Sequence, residues 1–240
     1  MTSCATSCGP AMAPITKRPP VEQVQAKLLA AWTLALRYPM EFLRRFVVTA
    51  DQHDKLHPIK PFPAKRPWVR PLVELWRDNP LIVEVKSRQM LQTWFWVSLM
   101  LWEALHPGRL VILQSKREDD AIGDRVAGDG LLGRALFILD HLPGAALLCP
   151  EGQAWRVREG NRIQFPLWGS TIWAIPQGGS VIRQRTCSAI LADEAAYQEE
   201  FEEAYTAALP TIRGGGSFVA LSTAHPGFFQ RVYEDRIDQP

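Results

Sequence analysis

Cysteine is scarce in this 240-residue sequence: Cys4, Cys8, Cys149 and Cys187 are all it has. They are too few and too scattered for a disulfide framework or a structural zinc site, which leaves reduced thiols in a cytosolic protein as the expectation. Histidine is scarce as well. His53, His57, His106, His141 and His225 show no metal-ligating spacing, and no Ser-His-Asp or Cys-His set follows from the order of residues. No apolar run reaches the ~18 uncharged residues that a membrane span requires; the longest candidate, Met90 to Leu101, is short and rich in tryptophan. The N-terminus, MTSCATSCGPAMAPITKRPP, lacks the apolar centre of a secretory signal, and its basic residues follow the small ones instead of preceding them. Nor does one sign of charge dominate. The formal net charge is +2, so composition by itself does not argue for nucleic acid. The local basic runs KRPP (17–20) and KPFPAKRPWVR (60–70) read as solvated linkers. These absences together point to a soluble protein with no membrane partner.

What is present is a core. Hydrophobic residues make up 47% of the chain, enough for an ordinary globular domain. Residues 1–20, rich in Ser, Pro and Ala, read as a disordered leader. Residues 21–78 read as N-terminal helices and a connector: a helix over 21–36 with Val24, Leu28, Ala31, Leu34 and Ala35 at helical spacing, a second over 40–48, a proline-rich extended stretch over 51–71, and a short helix over 72–76. From 79 to 240 short apolar strands alternate with helices. The strands fall at 81–85, 110–114, 171–175, 188–192 and 218–222, and the helices at 93–105, 117–126, 130–139, 199–208 and 227–236. A hairpin around REGN pairs 156–157 with 163–165. Apolar strands without polar alternation, separated by helices, imply a mostly parallel sheet covered on both faces.

In such sheets ligands bind at the carboxyl ends of the strands. After the first strand come Lys86, Ser87, Arg88, Gln89, Met90, Leu91, Gln92 and Thr93. Laid on the phosphate-loop template G-x-x-x-x-G-K-[ST], only Thr93 matches; Lys86 replaces the first glycine, Leu91 the second, and Gln92 the lysine. A helix N-terminus with free N–H groups, a hydroxyl and two nearby cations still suit a phosphate, although a plain strand-turn-helix corner fits the same residues. CSAILADEAAY is an apolar strand ending in Asp193-Glu194. Adjacent acids there can divide the work of a nucleotide hydrolase, one in the Mg²⁺ shell and one polarising water, or simply open an acidic helix. SFVALSTAHPG ends in Ser222 and Thr223, placed to sense a γ-phosphate or to cap a helix.

In combination these segments resemble the ATPase domain of the large terminase subunit of tailed bacteriophages, the motor that packages DNA into proheads. KSRQMLQTW resembles that family's deviant Walker A loop, with the lysine moved to the loop's start. RLVILQSKREDDAIGDRV is similar to its next strand and helix, AILADEAAY to its Walker B motif, STAHPG to its coupling motif, and MEFLRRFVVTADQHDKLHPIKPFP to its approach to the adenine pocket. The likeness covers residues 38–236. It implies a P-loop NTPase fold of the RecA/ASCE type, with ATP and Mg²⁺ as cofactors. Lys86 through Thr93 would bind ATP, Thr93 and Asp193 would hold Mg²⁺, and Glu194 would activate water. Arg183, with Arg185 as its alternative, would be an arginine finger acting on a neighbouring subunit. Ser222, Thr223 and Ala224 would couple hydrolysis to motion.

The partners the resemblance implies are double-stranded DNA, the portal protein, the small terminase subunit and other copies in a ring on the portal. Its implied setting is the cytoplasm of a bacterial host, from a phage or prophage gene. The sequence departs from the family at Leu91, where most relatives carry glycine, and in lacking the adenine-reading glutamine near PFPAKRPW, where Trp68 either stacks on the base or sits in the core. Because the family continues into a nuclease domain beyond a lid and final strands, the expectation is a truncated ATPase core. Two rivals stand beside it: a helicase-type ATPase, and a non-catalytic remnant that binds nucleotide or a partner.

Overall fold

The computed structural model describes residues 20–145 and 154–236; the expected leader, Cys4, Cys8 and Cys149 lie outside the described residues. Helix α1 (Val21–Arg37) buries Trp32 and Ala35, with Leu28 and Ala31 packed beside them. Positions 28, 31, 32 and 35 form one helical stripe, and the large Trp32 ring sets which stripe faces inward. Val24 and Leu34, expected on that face, are therefore exposed. Helix α2 (Pro39–Arg45) has proline at its first position, where a missing N–H is no loss. It ends three residues earlier than the sequence predicts, because Val48–Ala50 (β1) is taken into an antiparallel pair with Ile59–Pro61 (β2). The expected extended connector is thus partly a hairpin. Helix α3 (Val69–Asp78) starts before the predicted position and accommodates Pro71 in its first turn.

Seven strands form the main sheet: β3 (Leu81–Val85), β4 (Leu110–Gln114), β5 (Arg156–Arg158), β6 (Arg162–Phe165), β7 (Ser170–Ile175), β8 (Ala189–Asp193) and β9 (Ser217–Ser222), in the order β3-β9-β8-β4-β7-β6-β5. The five from β3 to β7 run parallel, and the β5–β6 hairpin extends the sheet antiparallel from β7. Helices α4 (Gln92–Ala104), α5 (Glu118–Ile122), α6 (Leu131–Asp140), α7 (Ser180–Arg183), α8 (Phe201–Arg213) and α9 (Phe228–Tyr233) connect them.

The strand period of two divides the interior. In β8, Ala189 and Leu191 face α4 and α6, while Ile190 and Ala192 face α8; in β9, Val219 and Leu221 point one way and Phe218 and Ala220 the other. The fold is therefore α/β, a mostly parallel sheet with helices on both faces, preceded by N-terminal helices. Helix α5 is shorter than the predicted 117–126. Gly123 ends it at φ +66°, and a Cβ there would lie 2.2 Å from the Asp129 carbonyl oxygen, so only glycine lets the chain reverse.

Candidate active site

The register of the parallel strands brings the chemistry together. Val85 of β3 pairs with Ser222 of β9, and Asp193 of β8 pairs with Leu221, so three strands end at one level. The Lys86 N–H donates to the Ser222 carbonyl at 2.8 Å, fixing the start of the 86–91 loop to β9. Helix α4 then opens at Gln92. Its interior is buried on all sides, with Phe95, Trp96, Val97, Leu99, Met100 and Leu101 fully enclosed. At about 1.5–3 kcal/mol per large apolar side chain, this anchors the helix firmly and with it the position of Thr93.

Lys86, Thr93 and Asp193 form a closed triangle. Lys86 Nζ donates to Thr93 Oγ1 at 3.1 Å and to Asp193 Oδ1 at 2.9 Å, and Thr93 Oγ1 donates to Asp193 Oδ2 at 3.1 Å. Glu194 Oε1 lies 3.2 Å from the same ammonium. Asp193 also accepts the Glu194 N–H, and its carbonyl accepts from Gln198 Nε2 at 2.9 Å, so the residue is held on two sides. Glu194 adopts φ +50°, a left-handed conformation that turns it out of the strand line toward the cleft. Ser222 Oγ donates to its Oε2 at 3.5 Å, and Thr223 Oγ1 donates to the Tyr197 hydroxyl at 3.2 Å. Glu84, inside β3, accepts from Trp96 Nε1, and burial pushes its carboxyl above the usual glutamate range.

Around this triangle is a cleft of about 1250 Å³, lined by the whole 86–93 loop, Asp193, Glu194, Tyr197 and Thr223, with Thr49–His53, Lys60 and Arg66 on another wall. The structure thus brings Lys86–Thr93, Asp193, Glu194 and Thr223 to one place. Ser222 reaches it through Glu194; Ala224 is exposed beyond the strand end. In the loop, Ser87, Arg88 and Gln89 are exposed at the mouth while Gln92 is buried, its amide oxygen without a partner. Gln89 and Leu91 take φ of +62° and +60°, the conformation that favours glycine at these places.

Arg183 lies outside the cleft lining, on α7, half exposed and paired with Glu203 of the same chain at 3.1 Å. Trp68 does not line the cleft. It is partly buried and packs edge-on against Phe62 and Phe95 at the margin of the core. Sequence reasoning missed Tyr197 and Arg134, while the Thr49–His53 wall falls within the segment likened to the approach to the adenine pocket. Tyr197 was visible as the end of DEAAY, whereas Arg134 is embedded in an apolar helix and carries no motif.

Thr93 Oγ1 and the Asp193 carboxylate are hard oxygen donors 3.1 Å apart. That set fits Mg²⁺, which takes few protein ligands and completes its shell with water and phosphate oxygens. It does not suit zinc, and among the described residues no cluster of three or more His, Cys, Asp or Glu is placed to hold a metal.

A mostly parallel sheet with a loop-to-helix turn after one strand, and an acidic pair ending a strand two places away, is an arrangement that P-loop folds share. Three solved structures are similar to it. The bacteriophage HK97 large terminase superposes with TM-score 0.59 over 84% of this chain and 40% of that one, at 12% identity. A point mutant of the Thermus phage P74-26 large terminase ATPase domain gives TM-score 0.47 at 16% identity, covering 63% of each chain. The large terminase of another thermophilic bacteriophage gives 0.44 at 16% identity, covering 66% of this chain and 37% of that one. The chain therefore spans less than two thirds of the length of these proteins and has the fold of the HK97 large terminase over most of its own. No protein-family profile and no curated protein matches it.

Proposed function

We propose that this chain is the ATP-hydrolysing motor domain of a phage large terminase, with residues 79–240 as its P-loop core and 21–78 as its N-terminal support. One observation carries the reading: Lys86, Thr93, Asp193 and Glu194 meet at the carboxyl ends of adjacent parallel strands, on a fold shared with the HK97 large terminase. The partners follow from that likeness: double-stranded DNA as the substrate moved, with a portal, a small subunit and a ring of copies.

In this reading the N–H groups from Gln89 to Gln92 and the start of α4 receive the phosphates, and Lys86 and Arg88 neutralise them. Thr93 and Asp193 hold Mg²⁺, which when bound offsets phosphate charge. Glu194, carried out of the strand by its left-handed backbone, takes a proton from the attacking water. Ser222 bonds to Glu194, and Thr223 to Tyr197, so a movement of either acid-side residue is passed to β9 and α9. Arg183 would reach a neighbouring copy's phosphates only after releasing Glu203.

The test is Glu194→Gln. The amide keeps the size and the Ser222 contact but cannot accept the proton. Mg·ATP affinity, read by titration calorimetry, stays within about threefold, while single-turnover hydrolysis in the presence of DNA falls by roughly 10²–10⁴-fold. Equal hydrolysis by variant and parent would remove Glu194 from the mechanism.

A further inference from the structure

Arg134 is the side chain of the cleft that the proposed mechanism leaves unused. It stands in the first half of α6 among fully buried neighbours such as Leu132 and Ala135, and its guanidinium lines the cleft 5.6 Å from the centre of the Trp94 ring. An arginine brings five N–H donors in a fixed fork. One of them, on Nη1, goes to the Gly130 carbonyl at 2.6 Å, while Nε is buried and has no acceptor. Asp129 and Asp193 act on it only from a distance, with no ion-pair contact among the described residues, and burial pulls its pKa below the ordinary arginine value. A largely desolvated cation with carboxylates only at a distance, on a residue that still reaches the cleft, is costly to keep. Its presence is explained if the counter-ion arrives with a ligand.

Lys60, Arg66 and Lys116 also line the cleft, Lys60 paired with Asp54, but the 86–93 loop itself offers a polyphosphate little free positive charge. Gln92 is neutral at the place of the usual lysine. Lys86 is occupied by Asp193 and Glu194, and Arg88 is exposed at the mouth. We infer that Arg134 is a phosphate ligand supplied by α6 of the same subunit, its unused donors closing on the nucleotide's phosphate chain and replacing the charge that Gln92 lacks. This rests on the nucleotide reading of the cleft. The guanidinium lies over the ring of Trp94, the residue after Thr93, and the Gly130 carbonyl holds one of its nitrogens, so it is partly positioned before a ligand enters. A lysine could supply the charge but not the fork.

The experiment compares Arg134→Met and Arg134→Lys with the unaltered chain, by calorimetry and thermal melts, with Mg·ATP and with adenosine. The ligand-free Arg134→Met chain melts at the same temperature or higher, since a largely desolvated charge is gone. Its Kd for Mg·ATP weakens roughly 10–100-fold, the loss of a charged hydrogen bond. Adenosine affinity is unchanged, and Arg134→Lys falls between. Wild-type Mg·ATP affinity in Arg134→Met overturns the inference, as does an equal loss for adenosine. A lower ligand-free melting temperature with an intact ATP-induced shift also overturns it, showing that Arg134 only packs against Trp94. If the unaltered chain itself binds no Mg·ATP, the nucleotide reading fails and Arg134 with it; if that chain binds and the variant binds equally, Arg134 alone is wrong.

Discussion

Lys86 sits where a cation is wanted, and removing it should show what the acidic pair is worth. Its side chain and that of Asp193 are 8% and 10% exposed and 2.9 Å apart, so this is a buried pair. Breaking such a pair by deleting one member leaves an uncompensated charge and destabilises by about 3–5 kcal/mol. The second contact, to the 42% exposed Glu194, adds little because water screens it. Lys86→Met, which keeps the length of the side chain, should lower the melting temperature by on the order of 10 °C for a chain of this size. Lys86→Met with Asp193→Asn should recover most of that loss, since neither remaining group is charged. Magnesium should recover part of it in the single variant, because Thr93, Asp193 and Glu194 then face a seat that no ammonium fills. Urea unfolding of the four proteins, with and without millimolar Mg²⁺, gives the coupling directly. A Lys86→Met loss under ~1 kcal/mol would refute the burial reasoning. So would additivity of the two substitutions.

Two other groups make sharper demands on stability and reactivity. Burial raises the Glu84 carboxyl above its ordinary value, so the unfolded chain ionises it first as pH rises, and the folded state is penalised increasingly from the unfolded value up through the folded one. Glu84→Gln keeps an acceptor for Trp96 Nε1 and should melt higher than the parent at pH 7.5 but match it at pH 4; equal melting at both would show that the carboxylate is accommodated without penalty. Cys187 is buried with its thiol pushed up to about 11. Peptide mapping after brief iodoacetamide treatment at pH 8 should find it unmodified in the folded chain and modified in urea; rapid native labelling would mean that the α8 side of the sheet opens.

Most of the fold could be read from the sequence because its strands are short, apolar and buried on both faces. LIVEV, LVILQ and AILAD leave little choice of structure when helical segments separate them. The errors came where tertiary pairing overrode a local pattern. Val48 looks like the end of a helix until Ile59–Pro61 arrives to pair with Val48–Ala50, and nothing within either segment announces the partner. Arg117–Val126 carries Gly123 in its middle, a residue of low helix propensity, and there the chain folds back so closely on Asp129 that only glycine fits. Trp32 shows a third kind of error. Spacing put Val24 and Leu34 on the inner face of α1 with Leu28, Ala31 and Ala35, and left out Trp32, whose buried ring sets the stripe that faces inward.

The site was legible for a different reason, and illegible in one part for the same reason. Its residues follow strands, so finding the strands located Thr93, Asp193, Glu194 and Ser222 without any knowledge of the loop. The loop itself fails the glycine template at both ends, and it holds Gln89 and Leu91 left-handed. A left-handed backbone costs about 1–2 kcal/mol for a residue with a Cβ. Helix α4 buries six or more large side chains at about 1.5–3 kcal/mol each, and β3 is pinned to β9 by its ladder and by Lys86. The two ends of the loop are therefore fixed more strongly than the loop can resist, and its residues accept the strain. Glycine makes such a turn cheap, but the anchored strand and helix are what make it necessary. A template that scores the glycines measures the lesser of these two quantities, and KSRQMLQT matches it at a single residue although the loop's left-handed positions are in place. Arg134 escaped for the complementary reason: it reaches the cleft from a helix whose sequence speaks only of the core.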